Sequence, residues 1–491
     1  MSLSRRDFLK LSALVTASAA LSGCGPLYRL TDQPIVPWEP LAARDFMSLS
    51  RLTFGPRTEE RARLAQVGLQ AWIEEQLAPD SIDDPGMLLH LRSFKTLGME
   101  ANELEALSNQ LFENYDRESI PGELRRATLL RQVYSRRQLY EVMVEFWSDH
   151  FNITTEKGNC FFLKTVDDRE VIRKHALGSF RDLVWASAHS PAMLVYLDNQ
   201  ANEKGAPNEN YARELMKLHT LSVNGGYSQQ DVMELARCLT GWTVKNHFWL
   251  GDFTFNPDLH DTGIKRVLDL IIPNEGQREA ERVIEKLIAD PSTARFVATK
   301  LARRFIADEP TAEIVEKATR AFLQTQGDIK SVLRVILLDG LSLGQPKYKR
   351  PANFVVSALR MLEVQTDGHA MQDHLMRMGQ TYFGWATPDG YPDRAAQWQG
   401  SLMPRWQFAF ELVRNELGHT KTDLRALMDV ANAHDPAAQM DALTSLLLGA
   451  PLAASARDEL IGSVTSAGAN ADEALAILAG GILASPAFQW R

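Results

Sequence analysis

Residues 205–243 read Gly205-Ala-Pro-Asn-Glu-Asn-Tyr-Ala-Arg-Glu-Leu215, then Asn224-Gly-Gly-Tyr-Ser-Gln-Gln-Asp231, and close on Leu239-Thr-Gly-Trp-Thr243. Asn208 is placed as an N-cap with Glu209 in the first turn, and Asn224-Gly225-Gly226 supplies residues that tolerate a left-handed backbone where that helix must stop. A second helix follows at once. Ser228 and Asp231 form a Ser-x-x-Asp capping box, Val232, Leu235, Ala236 and Leu239 recur at i, i+3, i+4 and i+7, and Gly241 ends the run. The stretch predicts a tight hairpin of two helices, 208–222 and 229–240.

Outward from this hairpin the same periodicity predicts an all-α body. Helices are expected over 41–52, 58–77, 85–113, 121–152, 168–188, 191–199, 275–289, 291–306, 311–325, 328–338, 350–363, 371–380, 402–415, 420–432, 437–448, 454–467 and 471–484. Ser190-Pro191 and Asp290-Pro291 each read as an N-cap followed by proline at the first helical position. The long exceptions are 242–274 and 381–401, where Gly251-Asp-Phe-Thr-Phe-Asn256 fits a short hairpin or a loop. No repeat of solenoid length occurs.

The N-terminus is a targeting segment. Arg5-Arg6-Asp-Phe-Leu-Lys10 precedes an apolar run, Leu11 to Leu21, too short and too rich in Ala and Ser for a stable membrane span. A twin arginine in this setting matches the export signal of proteins translocated already folded. Leu21-Ser-Gly-Cys24 resembles a lipoprotein processing box, so residues 1–23 are expected to be removed and the Cys24 thiol acylated, with 24–40 as a tether and 41–491 as the helical domain. The expected location is the periplasm, anchored by lipid. Gly25 rather than Asp after the cysteine resembles enteric sorting toward the outer membrane.

Loss of residues 1–23 removes Arg5, Arg6, Lys10 and Asp7, so a formal charge of −9 becomes about −11 and nucleic acid is not an expected partner. Cys160 and Cys238 are too few for a cysteine-based metal site, and whether they pair is open.

Pro207 to Trp242 resembles a bacterial family known only as domain of unknown function 1800. The resemblance extends through Arg51-Leu-Thr-Phe-Gly-Pro56, Phe146-Trp-Ser-Asp-His-Phe151, Ser190-Pro-Ala-Met-Leu194 with Leu197-Asp198, and His260-Asp261 with Lys265. It continues in Pro291-x-x-Ala-Arg-Phe296 with Lys300-Leu301 and in Gly379-Gln380 with Gly384-Trp385, and is clearest over residues 41–415. It implies an exported helical protein, commonly accompanied by an alkaline-phosphatase-like sulfatase as partner. It carries over no catalytic residue.

Helical geometry nominates candidates of its own. At ~100° per residue, Glu214 falls on the apolar face between Leu218 and Leu221, and His219 between Leu215 and Ala212. A carboxylate so placed must be paired, hydrogen-bonded, metal-bound or protonated. His150 lies in the stripe Leu139, Val142, Met143, Phe146, Trp147, so its imidazole is expected to be buried. Asp231, His260 and Asp261 complete the acid–base candidates, and Asn208, Asn210, Arg213, Arg237 and Lys265 the ligand-binding ones. For Glu209, Arg213 and Asp231 an ordinary helical pair or cap explains the residue equally well.

Gly-x-Ser-x-Gly, His-Glu-x-x-His, Walker and Gly-x-Gly-x-x-Gly patterns are all absent. Two readings remain. In one, these groups converge on a pocket that holds a divalent metal or works as acid and base, with His150 and Glu214 facing one shared polar pocket near the start of the Asn208 helix. In the other, they form a structural network, and the protein docks an exported partner without catalysis.

The export reading has a direct test. Changing Arg5 and Arg6 to lysine should leave full-length precursor in the cytoplasm, and Cys24→Ser should abolish incorporation of labelled fatty acid. A Cys24→Ser protein that still takes up label would remove the lipid anchor.

Overall fold

Apolar residues spaced by three and four build helices nearly everywhere in the described chain, and the caps are those their sequences call for. Ser228 Oγ accepts the Asp231 backbone N–H at 3.2 Å while the Asp231 carboxylate accepts the Ser228 N–H at 2.7 Å, a complete capping box. Asp290 caps Pro291–Phe305 through the Ser292 N–H. The computed structural model describes residues 35–113, 118–245 and 251–491; the signal, Cys24, the tether as far as residue 34, and His247 lie outside the described residues.

Five helices position the site: α1 (Gln138–His150), α2 (Asn210–Glu214, continued by a π turn over Leu215–His219), α3 (Gln229–Cys238), α4 (Pro291–Phe305) and α5 (Pro351–Met361). One hydrophobic cluster runs through the body from Phe46 to Phe488, with Trp72, Trp147 and Trp242 among its largest members. Among the described residues strands occur only as short antiparallel pairs. Trp242–Val244 faces Phe253–Phe255, Lys265–Val267 faces Leu270–Ile272, and Gln365–Thr366 faces Thr420–Lys421. No described helix is long and apolar enough to cross a membrane.

Several expected elements differ from the observed ones, each for a local reason. The helix expected over 121–152 is two, Ser119–Tyr134 and α1. Asp84 takes the Ser135 hydroxyl and the Arg136 N–H, and the Gln138 amide caps the Gln132 and Ser135 carbonyls, so side chains outbid continuation. The stretch 85–113 divides into Pro85–Leu91 and Ala101–Glu113 around a 3-10 turn at Thr96–Gly98. Residues 168–188 hold a π segment and then a helix from Phe180, and the helix Cys160–Asp167 was not anticipated. The 208–222 helix ends early, its π turn closed by the Thr220 hydroxyl on the Leu215 carbonyl at 2.6 Å, rather than at Asn224-Gly225-Gly226. Gly241, at φ +80°, does stop α3's continuation; a Cβ there would lie 2.4 Å from the Asn256 carbonyl.

Seven arginines are buried among the described residues: Arg51, Arg57, Arg61, Arg304, Arg350, Arg360 and Arg405. Two serve helix ends. Arg360 donates to the Gln132 and Val133 carbonyls in the last turn of Ser119–Tyr134, to Gly55 O and to Glu60. Arg61 does the same for Ser445 and Leu446 near the end of Pro436–Leu448. Each places a cation on orphan carbonyls at the negative end of a helix, which offsets its own desolvation.

Arg360→Met should therefore cost about 3–5 kcal/mol, since it takes the counter-charge from Glu60 and the side-chain donor from the Gly55 and Val133 carbonyls. Arg44→Met, at an exposed position, should stay within about 0.5 kcal/mol. Urea unfolding of both variants checks this; equal midpoints would refute the role given to Arg360.

Candidate functional site

α1 ends in Asp149 and His150, and both side chains are committed by partners from distant segments. His150 is 1% exposed. Its Nε2 lies 3.1 Å from the His219 carbonyl, which only an N–H can satisfy, so Nδ1 carries the lone pair and accepts from Lys300 Nζ at 3.0 Å. Lys300, on α4, is half-buried, and its ammonium also lies 5.5 Å from the centre of the Phe296 ring. His219 stands on the π turn with its ring 6.2 Å from that of His150. It too is 1% exposed, and neither of its ring nitrogens has a hydrogen-bond partner.

These three nitrogen bases are held against protonation. Burial, then the charge of Lys300, brings His219 down to about 3. Burial, Lys300 and His219 together push His150 well below its ordinary range. Burial lowers the Lys300 ammonium to about 8, with Asp149 pulling it up and Arg303 pulling it down.

Beneath the site, Arg350 bonds Asp149 at 2.6 Å and Glu145 at 2.7 Å, and Arg304 bonds Glu145 at 2.8 Å. Burial and Glu145 nevertheless leave the Asp149 carboxyl above its usual range. A small cavity of about 30 Å³ lies alongside, lined in part by Glu145, Ser148, Asp149, Asn152 and Tyr382, room for one or two waters. Above it the 381–401 loop is clasped to the helix end. Asn152 donates to the Trp385 and Thr387 carbonyls, Tyr196 donates to Ala386 O, and Gly390 packs so close that a Cβ would lie 2.0 Å from Asp149 O.

The other candidates fall into separate groups. Glu214 is 7% exposed and pairs with Lys217 at 3.2 Å, not with His150. The two are linked only at a distance, through Asp389, on which the Lys217 charge acts and which itself acts on Lys300. Asp231 is spent on the cap and on the Leu268 N–H. Arg213 bonds Glu209 and Gln229; Asn208 caps the Asn210 N–H, and Asn210 bonds Asp198. Arg237 grips Asp261 with two bonds and Glu234 with a third, at the surface.

His260 and Lys265 converge on Glu279, a residue the sequence did not single out. His260 Nε2 lies 3.0 Å and Lys265 Nζ 2.5 Å from its two carboxylate oxygens, and all three side chains are at most 2% exposed. Burial raises the Glu279 carboxyl, but His260, Lys265 and the Glu275 N–H outweigh it and the net shift is downward. Every polar atom there is used, which marks a structural centre.

Among the described residues no three His, Cys, Asp or Glu side chains are placed to hold a metal ion. The free, buried Cys160 and Cys238 form no bridge. Lys300 was not among the sequence candidates; its signals were its place in the resemblance motif with Leu301 and a position four residues after Phe296 on the same helix.

The buried histidines set a pH dependence. The unfolded chain binds protons at His150 and His219 near 6.5 and the folded chain does not, so stability is full above that value and falls as pH drops toward 3, where His219 titrates in the fold. Each histidine contributes about 1.4 kcal/mol per pH unit to the slope. His219→Phe should flatten the decline between pH 6.5 and 4.5 in urea titrations; an unchanged slope would show that His219 is protonated in the fold.

No curated protein and no solved structure matches the chain. A twin-arginine translocation pathway signal sequence matches residues 2–22, so the protein is exported. The family described as "Protein of unknown function (DUF1800)" matches residues 47–490, which extends past residue 415, the limit of the clearest motif resemblance. With nearly the whole body covered, from Phe46's neighbour to the penultimate residue, the chain belongs to the DUF1800 family of proteins of unknown function.

Proposed function

We propose that this is an exported, lipid-anchored protein of the cell envelope, periplasmic and attached at Cys24, whose working centre is Lys300 with His150 and His219, used for acid–base chemistry on a small substrate. The observation that carries the reading is the acceptor chosen for Lys300. Its ammonium donates to a neutral imidazole and makes no ion pair among the described residues. A carboxylate would hold the amine protonated; a neutral nitrogen positions it without doing so. An amine titrating near 8 is poised to take up and release a proton at envelope pH. The unpartnered ring of His219 supports the reading, because an unsatisfied buried polar side chain calls for a water or a ligand. Leu21-Ser-Gly-Cys24 and Gly25 support anchoring at the outer membrane.

The rival, a non-catalytic protein that docks an exported alkaline-phosphatase-like partner, predicts no turnover. The two separate when purified protein is incubated with the small-molecule fraction of an envelope extract and the mixture is profiled by mass spectrometry. Wild type should consume at least one compound that Lys300→Met, matched in melting temperature, leaves untouched. Identical profiles for wild-type and heat-inactivated protein would sink the enzymatic reading and favour docking.

A further inference from the structure

We infer that a cavity beside His189 is a binding site for a small neutral molecule with an apolar body and one hydroxyl group, whose proton His189 Nε2 accepts. The site shares no residue with the Lys300 centre, and the test of one does not bear on the other.

The cavity, of about 210 Å³, is lined from the helices Cys160–Asp167 and Phe180–Ala188, the π segment between them and the start of Pro191–Tyr196. At ~30 Å³ each it has room for about seven waters, below the size of sites that take drug-sized ligands. Leu163, Val166, Val171, Ala186, Pro191 and Ala192 make its wall largely apolar. Glu170 also lines it, with a side chain 49% exposed, so the cavity reaches the surface.

The polar side chains on this wall offer acceptors and no free donor. Ser190 stands at the N-cap ahead of Pro191, but its hydroxyl donates to Asp167 Oδ1 at 2.7 Å and no cap bond forms. Lys164 donates to the other Asp167 oxygen at 2.7 Å, and Arg169 pairs with Glu170 at 2.8 Å. Each carboxylate has its counter-charge, so a charged ligand would give up its water and find no partner of opposite sign.

His189 supplies the acceptor that remains. Its Nδ1 lies 2.8 Å from the Trp185 carbonyl, so the ring proton sits on Nδ1 and the lone pair on Nε2. Nε2 has no partner among the described residues, and it is not one of the side-chain atoms sealed from solvent. The space that reaches it is the cavity that His189 lines. The ring is fixed in place, stacked on Trp185 at 5.3 Å with Trp242 at 4.7 Å and Phe253 at 4.6 Å against it. Burial holds the imidazole below its ordinary range, so the lone pair is present at neutral pH. One lone pair in an apolar wall is matched by one O–H on an apolar ligand.

The test uses benzyl alcohol, with benzonitrile as a probe of equal size that has no donor. The exported protein is labelled with nitrogen-15 in its histidines, and the His189 Nε2 resonance is followed through each titration at pH 7. Benzyl alcohol should move that resonance upfield and saturably, as an unprotonated imidazole nitrogen does on accepting an O–H. Benzonitrile should bind about 2–10-fold more weakly, the worth of one net hydrogen bond. His189→Phe should delete the resonance, which assigns it, and should bind the two probes equally. Val166→Phe, which fills the cavity, should bind neither.

An Nε2 resonance unmoved at the solubility limit of benzyl alcohol would overturn the inference, as would wild-type protein that binds benzonitrile as tightly as the alcohol. Neither result needs a variant to fold. Protonated benzylamine bound more tightly than benzyl alcohol would overturn the neutral ligand class.

Discussion

The carboxylate of Glu145 holds the structure's central crossing together. Arg304, near the end of α4, and Arg350, at the start of α5, both bond its Oε2, and Arg350 reaches on to Asp149 one turn later on α1. Buried charges of this kind each cost several kcal/mol to desolvate, and here the shared Oε2 sets both guanidinium groups directly against their counter-charge while Glu145 Oε1 keeps no hydrogen-bond partner. The crossing therefore has little freedom to slide. A second contact between the same helices lies close by: His150, five residues on from Glu145 along α1, meets Lys300, four residues back from Arg304 along α4, at 3.0 Å.

Two histidine–lysine groupings in this chain have opposite outcomes. At Glu279 the carboxylate accepts from His260, Lys265 and a backbone N–H, and nothing is left over. At His150 no carboxylate intervenes, and His219 beside it has two ring nitrogens without partners. The same residue types make a structural staple in one place and an unsatisfied, chemically available cluster in the other. The difference lies in completeness of pairing, which is what separates a group that stabilises from one free to act.

What local sequence could reveal was largely what one helix decides alone. The stripe from Leu139 to Trp147 placed His150 in the core, the Ser228–Asp231 box placed the start of α3, and Gly241 placed its end, each from spacing within a dozen residues. Most of the failures are contacts between segments far apart in the chain. The break after Tyr134 depends on Asp84, some fifty positions earlier. Glu279 is anonymous until His260 and Lys265 fold onto it, and Lys300 reads as a border residue of an amphipathic helix until His150 arrives from 150 positions away. Glu214 was correctly placed at the core boundary, but periodicity gives a face and not a neighbour, so its pairing with Lys217 rather than His150 was not legible.

The π turn links the α2–α3 hairpin to the Lys300 centre. In a helix continued to residue 222, the carbonyl of His219 would accept the N–H of Val223 and be closed to anything else. The chain instead widens at Leu215, the Thr220 hydroxyl caps the Leu215 carbonyl, and Ser222 turns left-handed at φ +71°, which ends the helix and leaves the His219 carbonyl free. That carbonyl takes the Nε2 proton of His150. With the proton fixed on Nε2, the Nδ1 lone pair has one direction to face, and Lys300 lies there. A regular helix would have left the imidazole without an acceptor and its tautomer unassigned, so the irregularity that defeated the helical periodicity is the feature that orients the amine.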